Sequence, residues 1–267
     1  MLEGFTEYLG QANLSENTIK SYVKAVTQYY ELYDTVNKKN LLSYKGHLIE
    51  NYKPKTINLR IQALNRYINY LGKENLSLKF IKAQQQNFLE NVISDADYRL
   101  FIRELKADGR INWYFIVRYL CATGARISEL IEIKTEDVKV GYRDLYGKGG
   151  KLRRLYIPKK LSEETLIWMD EEKIENGYLF KNRFGERITT RGIAHQLKVF
   201  SAEYGLDTKV IYPHSFRHRF AKNFLQKYND LALLADLMGH ESIETTRIYL
   251  RRTAKEQKEV VDRVVTW

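Results

Sequence analysis

Apolar side chains recur every three or four residues along most of this 267-residue chain, and this spacing strongly constrains its fold. Residues spaced in this way line one face of a helix, which is then buried against neighbouring elements. Three such segments are predicted in the first part of the chain. One begins after Ser15, a suitable N-cap, and a second runs from Leu41 to Tyr52. A third begins at Pro54 and ends near Gly72.

The segment from Val138 to Pro158 breaks this helical spacing. Its apolar and aromatic residues flank the turn sequence GKGGK at residues 147–151, which predicts a β-hairpin with a basic turn. Helical spacing then returns and continues to the end of the sequence. We therefore predict a mainly α fold with a small β-hairpin in its C-terminal part.

A polar stretch from Ala83 to Asn87 has no apolar periodicity and indicates a linker. Soon after it, Ser94 and the two aspartates that follow form a good helix start. We therefore expect a helical domain at residues 1–84, a linker at 85–92 and a second domain at 93–267.

The chain carries 44 lysines and arginines against 33 acidic residues, a formal net charge of +11. A surplus of this size attracts DNA, RNA and anionic membranes, although a solvated basic surface without a partner is also compatible with it. Both predicted domains are basic. In the first domain, the candidate DNA-binding residues lie opposite the apolar stripes: Lys20, Lys24, Lys53, Lys55 and Arg60.

Cysteine content and hydropathy exclude several classes of protein. The single cysteine, Cys121, rules out an internal disulfide and a cysteine-based zinc site. No apolar run approaches the roughly 20 residues that span a bilayer, and the N-terminal residues do not resemble a secretory signal. We therefore expect a cytoplasmic protein.

Three short motifs contain residues suited to catalysis. They read TGARISEL at residues 123–130, HSFRH at 214–218, and LMGH followed by TTRIY between 237 and 249. Each motif is weak evidence alone. Arg126 fits a helix end, His214 and Arg217 fit a surface pair, and Tyr249 is one of 20 tyrosines.

Together, the motifs supply what phosphodiester attack requires. Two guanidinium groups match the oxygens of a phosphate and stabilise the charge that develops during attack. A tyrosine hydroxyl, with a pKa of about 10, becomes a useful nucleophile beside such cations or a base. The motifs contain no carboxylate cluster of the kind that holds Mg²⁺. This combination favours covalent phosphoryl chemistry without a metal ion.

The motifs resemble those of the tyrosine recombinase, or phage integrase, family. The family pattern matches Arg126, then His214 and Arg217, then His240 and Tyr249, in the same order. It also includes a lysine in a hairpin turn, which matches Lys148. Met238 and Leu250-Arg251 depart from the common pattern outside these positions. The sequence begins directly with the helical domain, so the resemblance implies an Xer-like layout without an additional arm-binding module.

The resemblance implies a role for each matched residue. Arg126 and Arg217 would grip the scissile phosphate, and His240 would donate a hydrogen bond to it. Tyr249 would attack, leaving a 3′-phosphotyrosyl bond. His214 would assist proton transfer near the nucleophile, and Lys148 would protonate the departing 5′-oxygen. Glu129 would support the pocket without contacting the phosphate itself. No cofactor or metal would be required.

The resemblance further implies that two domains clamp around double-stranded DNA. The terminal apolar stripe, which includes Val261, Val264 and Trp267, would dock on a neighbouring subunit in a homotetramer on DNA. Packing of this stripe on its own domain remains the alternative.

Three functions are compatible with these residues. The favoured one is a site-specific DNA recombinase acting in integration, excision, inversion or resolution. A type IB topoisomerase uses a similar pocket but relaxes a single duplex as a monomer. A non-catalytic DNA-binding protein of the same fold is less compatible, because all six expected catalytic positions are filled.

Overall fold

This computed structural model describes residues 2–82, 92–146, 152–240, 242–250, 258 and 261–265. The chain divides into two compact units, Met1–Gln85 and Gln86–Trp267. The predicted linker at 85–92 lies outside the described residues except for Val92. Most of the described residues are helical, and the one sheet among them has two strands, in agreement with the predicted fold class.

The first unit is a bundle of four helices followed by a short 3₁₀ turn at Glu74–Leu76. The helices are α1 (Glu3–Gln11), α2 (Glu16–Tyr30), α3 (Lys38–Asn51) and α4 (Pro54–Tyr70). The predicted cap at Ser15 is confirmed, since its side chain accepts a hydrogen bond from the Thr18 amide. Pro54 occupies the first turn of α4, as predicted.

The predicted starting residue of the second helix was wrong. Helix α3 begins at Lys38 rather than Leu41, because the Asn37 side chain caps it by accepting a 2.9 Å hydrogen bond from the Asn40 amide. Helix α1 was not predicted. It buries only Phe5 and Leu9, so its apolar pattern is too short to stand out in the sequence.

The second unit is mostly helical, and its described residues include the helices α5 to α13. They are α5 (Asp95–Ala107), α6 (Ile111–Thr123), α7 (Ile127–Leu130), α8 (Thr135–Val140), α9 (Lys159–Glu171), α10 (Thr190–Glu203), α11 (Pro213–Lys227), α12 (Leu231–Met238) and α13 (Ile243–Arg247). A 3₁₀ turn at Ile248–Leu250 follows α13. The predicted helix start at Ser94 is confirmed, because its hydroxyl accepts a hydrogen bond from the Asp97 amide.

The predicted hairpin is also present. Strands β1 (Tyr142–Tyr146) and β2 (Leu152–Tyr156) pair antiparallel, with Tyr142 opposite Tyr156 and Tyr146 opposite Leu152. The predicted turn sequence at residues 147–151, including Lys148, lies outside the described residues. The first residues of the predicted hairpin segment instead form the end of α8.

Two helices of the second unit end at left-handed glycines. Helix α6 ends at Gly124, with φ of 63°, and α12 ends at Gly239, with φ of 61°. A glycine adopts this conformation without the steric cost that a side chain imposes. The two glycines direct the chain from the helix ends into Arg126 and His240, so both helix ends border the candidate site.

The predicted terminal stripe is described only in part. Residues 261–264 are helical, and Val261, Val264 and Val265 are exposed. Val260 and Trp267 lie outside the described residues. Of the helices within the described ranges, none combines the length and apolar character needed to cross a membrane.

Candidate active site

Helix α11 supplies three side chains to the site. Pro213 lies in its first turn, where the missing amide hydrogen costs nothing. His214, Arg217 and His218 follow at spacings of three and four residues, so they share one face of the helix. The first is exposed, the second is buried and the third is intermediate, so the group runs from the surface into the protein.

Arg217 is held by the carboxyl ends of two helices. Its guanidinium donates hydrogen bonds to the carbonyl oxygens of Gly124, at the end of α6, and Met238, at the end of α12. These carbonyls lie at the partially negative ends of the helices, which favour a cation. Burial and the charge of Arg126 lower the pKa of Arg217 to about 10, although Glu129 opposes this change. Arg217 therefore remains a cation at neutral pH.

Glu129 binds Arg126 at the start of α7. The Glu129 carboxylate accepts hydrogen bonds of 2.7 Å from both the backbone amide and the side chain of Arg126. Arg126 also donates to the Gly239 carbonyl oxygen at 3.0 Å, which ties α7 to the end of α12. The Arg126 side chain keeps 38% of its surface exposed and is thus accessible to an incoming phosphate.

A third arginine, Arg153, was not predicted. It lies on β2 and donates to Glu129 at 2.8 Å and to the Leu237 carbonyl oxygen at 2.8 Å. Its side chain is only 9% exposed. The alternation of side chains along a strand could have indicated that Arg153 faces the protein interior, because Arg153 shares its side of β2 with the buried Leu155. Arg153 therefore connects the hairpin to the end of α12.

Glu129 is the shared counter-ion of these arginines. Its carboxylate lies 2.7 Å from Arg126, 2.8 Å from Arg153 and 3.9 Å from Arg217. Burial acts to raise its pKa, but the charge of Arg153 and the hydrogen bonds from Arg126 outweigh burial, and the pKa is lowered. Glu129 is therefore ionised at neutral pH and offsets only part of the positive charge.

His240 follows Gly239 and contacts two residues of the site. Its Nε2 atom lies 3.2 Å from the Arg217 guanidinium, and its Nδ1 atom lies 2.7 Å from the Thr246 hydroxyl. A guanidinium only donates, so Nε2 accepts and Nδ1 carries the hydrogen. Burial and the charges of Arg217 and Arg126 lower the His240 pKa to about 4, so the ring is neutral.

Tyr249 lies at the end of this chain of contacts. It is 6% exposed and packs in a small apolar cluster with Leu225, Leu234 and Met238. Its ring stacks on that of His240, with centroids 6.3 Å apart. Burial raises the pKa of its hydroxyl, while the positive charges of Arg217 and Arg126 act in the opposite direction. The hydroxyl thus needs help to lose its proton.

The structure brings most of the predicted residues together. Arg126, Glu129, Arg217, His240 and Tyr249 are linked by hydrogen bonds and ring contacts. His214 lies one helical turn before Arg217, and partial burial together with the charges of Arg217 and Arg126 lowers its pKa.

The candidate DNA-binding residues lie in the first unit. Lys20 and Lys24 are exposed on α2, and Lys53 and Lys55 are exposed at the start of α4. Arg60 differs from them, since its guanidinium stacks on the Tyr52 ring at 3.8 Å. Among the described residues, no group of three or more histidine, cysteine or acidic side chains is arranged to hold a metal ion.

Known proteins share both this sequence and this fold. Residues 91–256 match the phage integrase family. Tyrosine recombinase XerA of Pyrococcus furiosus is 30% identical over 270 residues, which cover 98% of this chain and 93% of XerA.

Two solved structures share the fold. One is the Tn1549 transposon integrase in complex with transposon right end DNA, with a TM-score of 0.72, 15% identity and 97% of each chain covered. The other is the XerH site-specific recombinase bound to difH substrate in a pre-cleavage complex. It has a TM-score of 0.70 and 21% identity, and the match covers 91% of this chain and 78% of XerH. The family match and the relationship to XerA together establish that this chain belongs to the phage integrase family of tyrosine recombinases.

Proposed function

We propose that this site-specific DNA recombinase uses Tyr249 as its nucleophile. The Tyr249 oxygen attacks a phosphodiester, forms a bond to phosphorus and displaces the 5′-oxygen. The product is a 3′-phosphotyrosyl linkage and a free 5′-hydroxyl. In the joining step, the 5′-hydroxyl of a second strand attacks the same phosphorus, and the bond from phosphorus to the Tyr249 oxygen breaks. The bond energy is retained in the linkage, so the reaction needs neither ATP nor a metal ion.

The convergence of Tyr249, His240 and Arg217 on one pocket carries this proposal. Three separate elements bring them together: the 3₁₀ turn after α13, the end of α12, and α11. Arg217 is fixed in place by helix-end carbonyls, whereas Arg126 is accessible. Such preorganised cations stabilise the charge on the non-bridging oxygens in the transition state.

Further roles follow from the family pattern. Lys148, in the sequence predicted to form the hairpin turn, protonates the leaving 5′-oxygen, and His214 assists proton transfer near the nucleophile. His240 donates to the phosphate after its Nε2 atom changes from acceptor to donor. Glu129 orients Arg126 and does not touch the phosphate.

DNA recombination sites are the substrate in this proposal. The solved XerH and Tn1549 integrase structures that share the fold contain DNA. The domain at residues 1–84 contributes phosphate contacts through Lys20, Lys24, Lys53, Lys55 and Arg60, and the linker at 85–92 joins it to the catalytic domain at 93–267. Four subunits assemble on paired sites, with exchange of the C-terminal tail. We expect this reaction to occur in the cytoplasm.

A two-site assay separates recombination from topoisomerase activity. The DNA site is first selected from a random-sequence pool, and two copies are then placed on one supercoiled plasmid. A recombinase inverts or deletes the intervening segment, and plasmids with one site give far less product. Relaxation of a one-site plasmid without rearrangement on the two-site plasmid would instead establish the topoisomerase alternative.

A further inference from the structure

His218 lies beside the proposed nucleophile, although the sequence motif did not assign it a role. Its Nδ1 atom is 3.1 Å from the Tyr249 hydroxyl oxygen, and the ring centroids are 5.4 Å apart. A rigid element fixes this geometry, because α11 places His218 one residue after the buried Arg217. The contact thus joins a ring nitrogen to the atom that attacks phosphorus.

The direction of this hydrogen bond depends on the protonation of His218. Burial, His214 and the positive charge of Arg217 lower the pKa of His218 to about 4. The imidazole is therefore neutral near pH 7. A neutral ring that carries its hydrogen on Nε2 accepts at Nδ1, so the Tyr249 hydroxyl is the donor.

The other histidines of the site are less suited to accept this proton. His240 already accepts a hydrogen bond from Arg217 at Nε2, and its Nδ1 atom is engaged with Thr246. His214 is exposed, and its ring stacks on that of His218 with the centroids 6.1 Å apart. Among the described residues, His218 is the histidine that hydrogen-bonds to the Tyr249 hydroxyl.

We propose that His218 is the general base that accepts the Tyr249 proton during strand cleavage. This inference rests on the proposed function of Tyr249. As the Tyr249 oxygen bonds to phosphorus, its proton moves to His218 Nδ1, and the bond from phosphorus to the 5′-oxygen breaks. The 5′-oxygen takes a proton from the general acid. In strand joining, His218 returns its proton to the Tyr249 oxygen as that oxygen leaves.

Charges in the pocket favour this transfer once DNA is bound. In the protein alone, His214 and the charge of Arg217 lower the pKa of His218. The charges of Arg217 and Arg126 act to lower the pKa of Tyr249, and Tyr212 acts to raise it. An entering phosphate is an anion and offsets the arginine charges, which raises the basicity of His218. The tyrosine oxygen also becomes more acidic as its bond to phosphorus forms, so transfer is easiest in the transition state.

Two substitutions separate a base from a residue that only holds Tyr249 in place. His218→Ala removes both roles. His218→Asn retains a hydrogen-bonding group near the position of Nδ1 but has no basic nitrogen. His195→Ala is the matched control, since His195 is an exposed histidine on α10. Mobility shifts and thermal melting establish that each variant binds DNA and is folded.

The measurement is the single-turnover rate of covalent complex formation on nicked DNA that carries the selected site. We expect both His218 variants to be slower than the wild-type protein by about 100-fold or more, the scale of general-base catalysis. Their residual rate should rise about tenfold per pH unit between about pH 6 and 8, because Tyr249 must then ionise without a base. The wild-type and His195→Ala rates should change much less with pH.

Two outcomes would overturn the inference while leaving the proposed function intact. One is a His218→Asn rate close to that of the wild-type protein, which would make the contact a positioning hydrogen bond. The other is a variant that is slow but has the same pH dependence as the wild-type protein. If the wild-type protein forms no covalent complex, the proposed function fails and the inference fails with it.

Discussion

At the scale of single residues, the site is organised by charge balance. Three arginines share Glu129, and their exposed fractions range from 38% for Arg126 to 9% for Arg153 and 3% for Arg217. The Arg126 guanidinium is open to solvent, whereas the two buried guanidinium groups need the carboxylate and the helix-end carbonyls to stabilise their charges. Loss of the carboxylate therefore affects stability as well as catalysis.

Glu129→Gln should destabilise the protein at pH 7 by about 2 kcal/mol, because it leaves buried guanidinium groups without their counter-ion. The effect should depend on pH. The pKa of Glu129 is lowered in the folded protein, so its stabilisation is complete above the unfolded value of about 4.3. It is lost as the pH falls through the folded value.

Urea unfolding of Glu129→Gln and the wild-type protein at several pH values measures this difference. The two stabilities should converge as the pH is lowered. A difference that is equal at pH 7 and at the lowest pH where the protein folds would contradict the role of the ionised carboxylate.

Arg153→Ala should slow strand cleavage at least about tenfold, because the end of α12, which precedes His240, loses one of its hydrogen bonds and is held less firmly. The adjacent Arg154 provides a matched control. It lies on the other side of β2 and pairs with Asp144 at the surface, so Arg154→Ala should have a much smaller effect on the rate. Equal losses in the two variants would argue against a positioning role for Arg153.

At the scale of secondary-structure elements, the ends of α6 and α12 determine the site. Each ends at a glycine with positive φ, and a Cβ atom on either glycine would overlap a neighbouring side chain. The overlap would be with Phe220 at Gly124 and with Arg153 at Gly239. These glycines therefore permit both the turn and the close packing.

A comparison of two glycine substitutions isolates the packing effect. Gly205 has φ of 67° with open space around it, whereas Gly239 has φ of 61° and faces Arg153. Gly205→Ala should cost about 1 kcal/mol for the left-handed conformation alone. Gly239→Ala should cost more, by about 1–3 kcal/mol, because Arg153 must move. Equal losses in thermal stability would show that Arg153 adapts freely.

Local capping explains which elements were predictable from the sequence. Ser15, Pro54 and Ser94 mark helix starts through backbone chemistry that acts within a few residues, and each prediction was confirmed. Arg153 and His218 were missed as site residues because their partners lie far along the sequence. His218 contacts a tyrosine 31 positions away, and Arg153 contacts a carbonyl 84 positions away.

At the scale of the whole molecule, the net charge of +11 predicts DNA binding that weakens steeply with salt. We expect Lys53 and Lys55 to contact phosphates. Replacing both with alanine should reduce the slope of log affinity against log salt by about 2, since each contact contributes about 0.9. Affinity should fall by a similar factor for all DNA sequences.

Fluorescence anisotropy across a salt series measures this slope. The control replaces Lys38 and Lys39, which are exposed on α3, with alanine. It removes the same charge and should change the slope less. Identical slopes for the two double variants would show that net charge alone, and not the start of α4, determines the affinity.

The central claim is that DNA becomes covalently attached to the oxygen of Tyr249. Nicked DNA carrying the selected site traps the covalent complex, and mass spectrometry of the digested complex identifies the modified residue. We predict one nucleotide-linked peptide that contains Tyr249, and no complex with Tyr249→Phe. The surface substitution Tyr228→Phe should leave the complex unchanged. Attachment at another residue, or a complex of normal yield with Tyr249→Phe, would contradict the account.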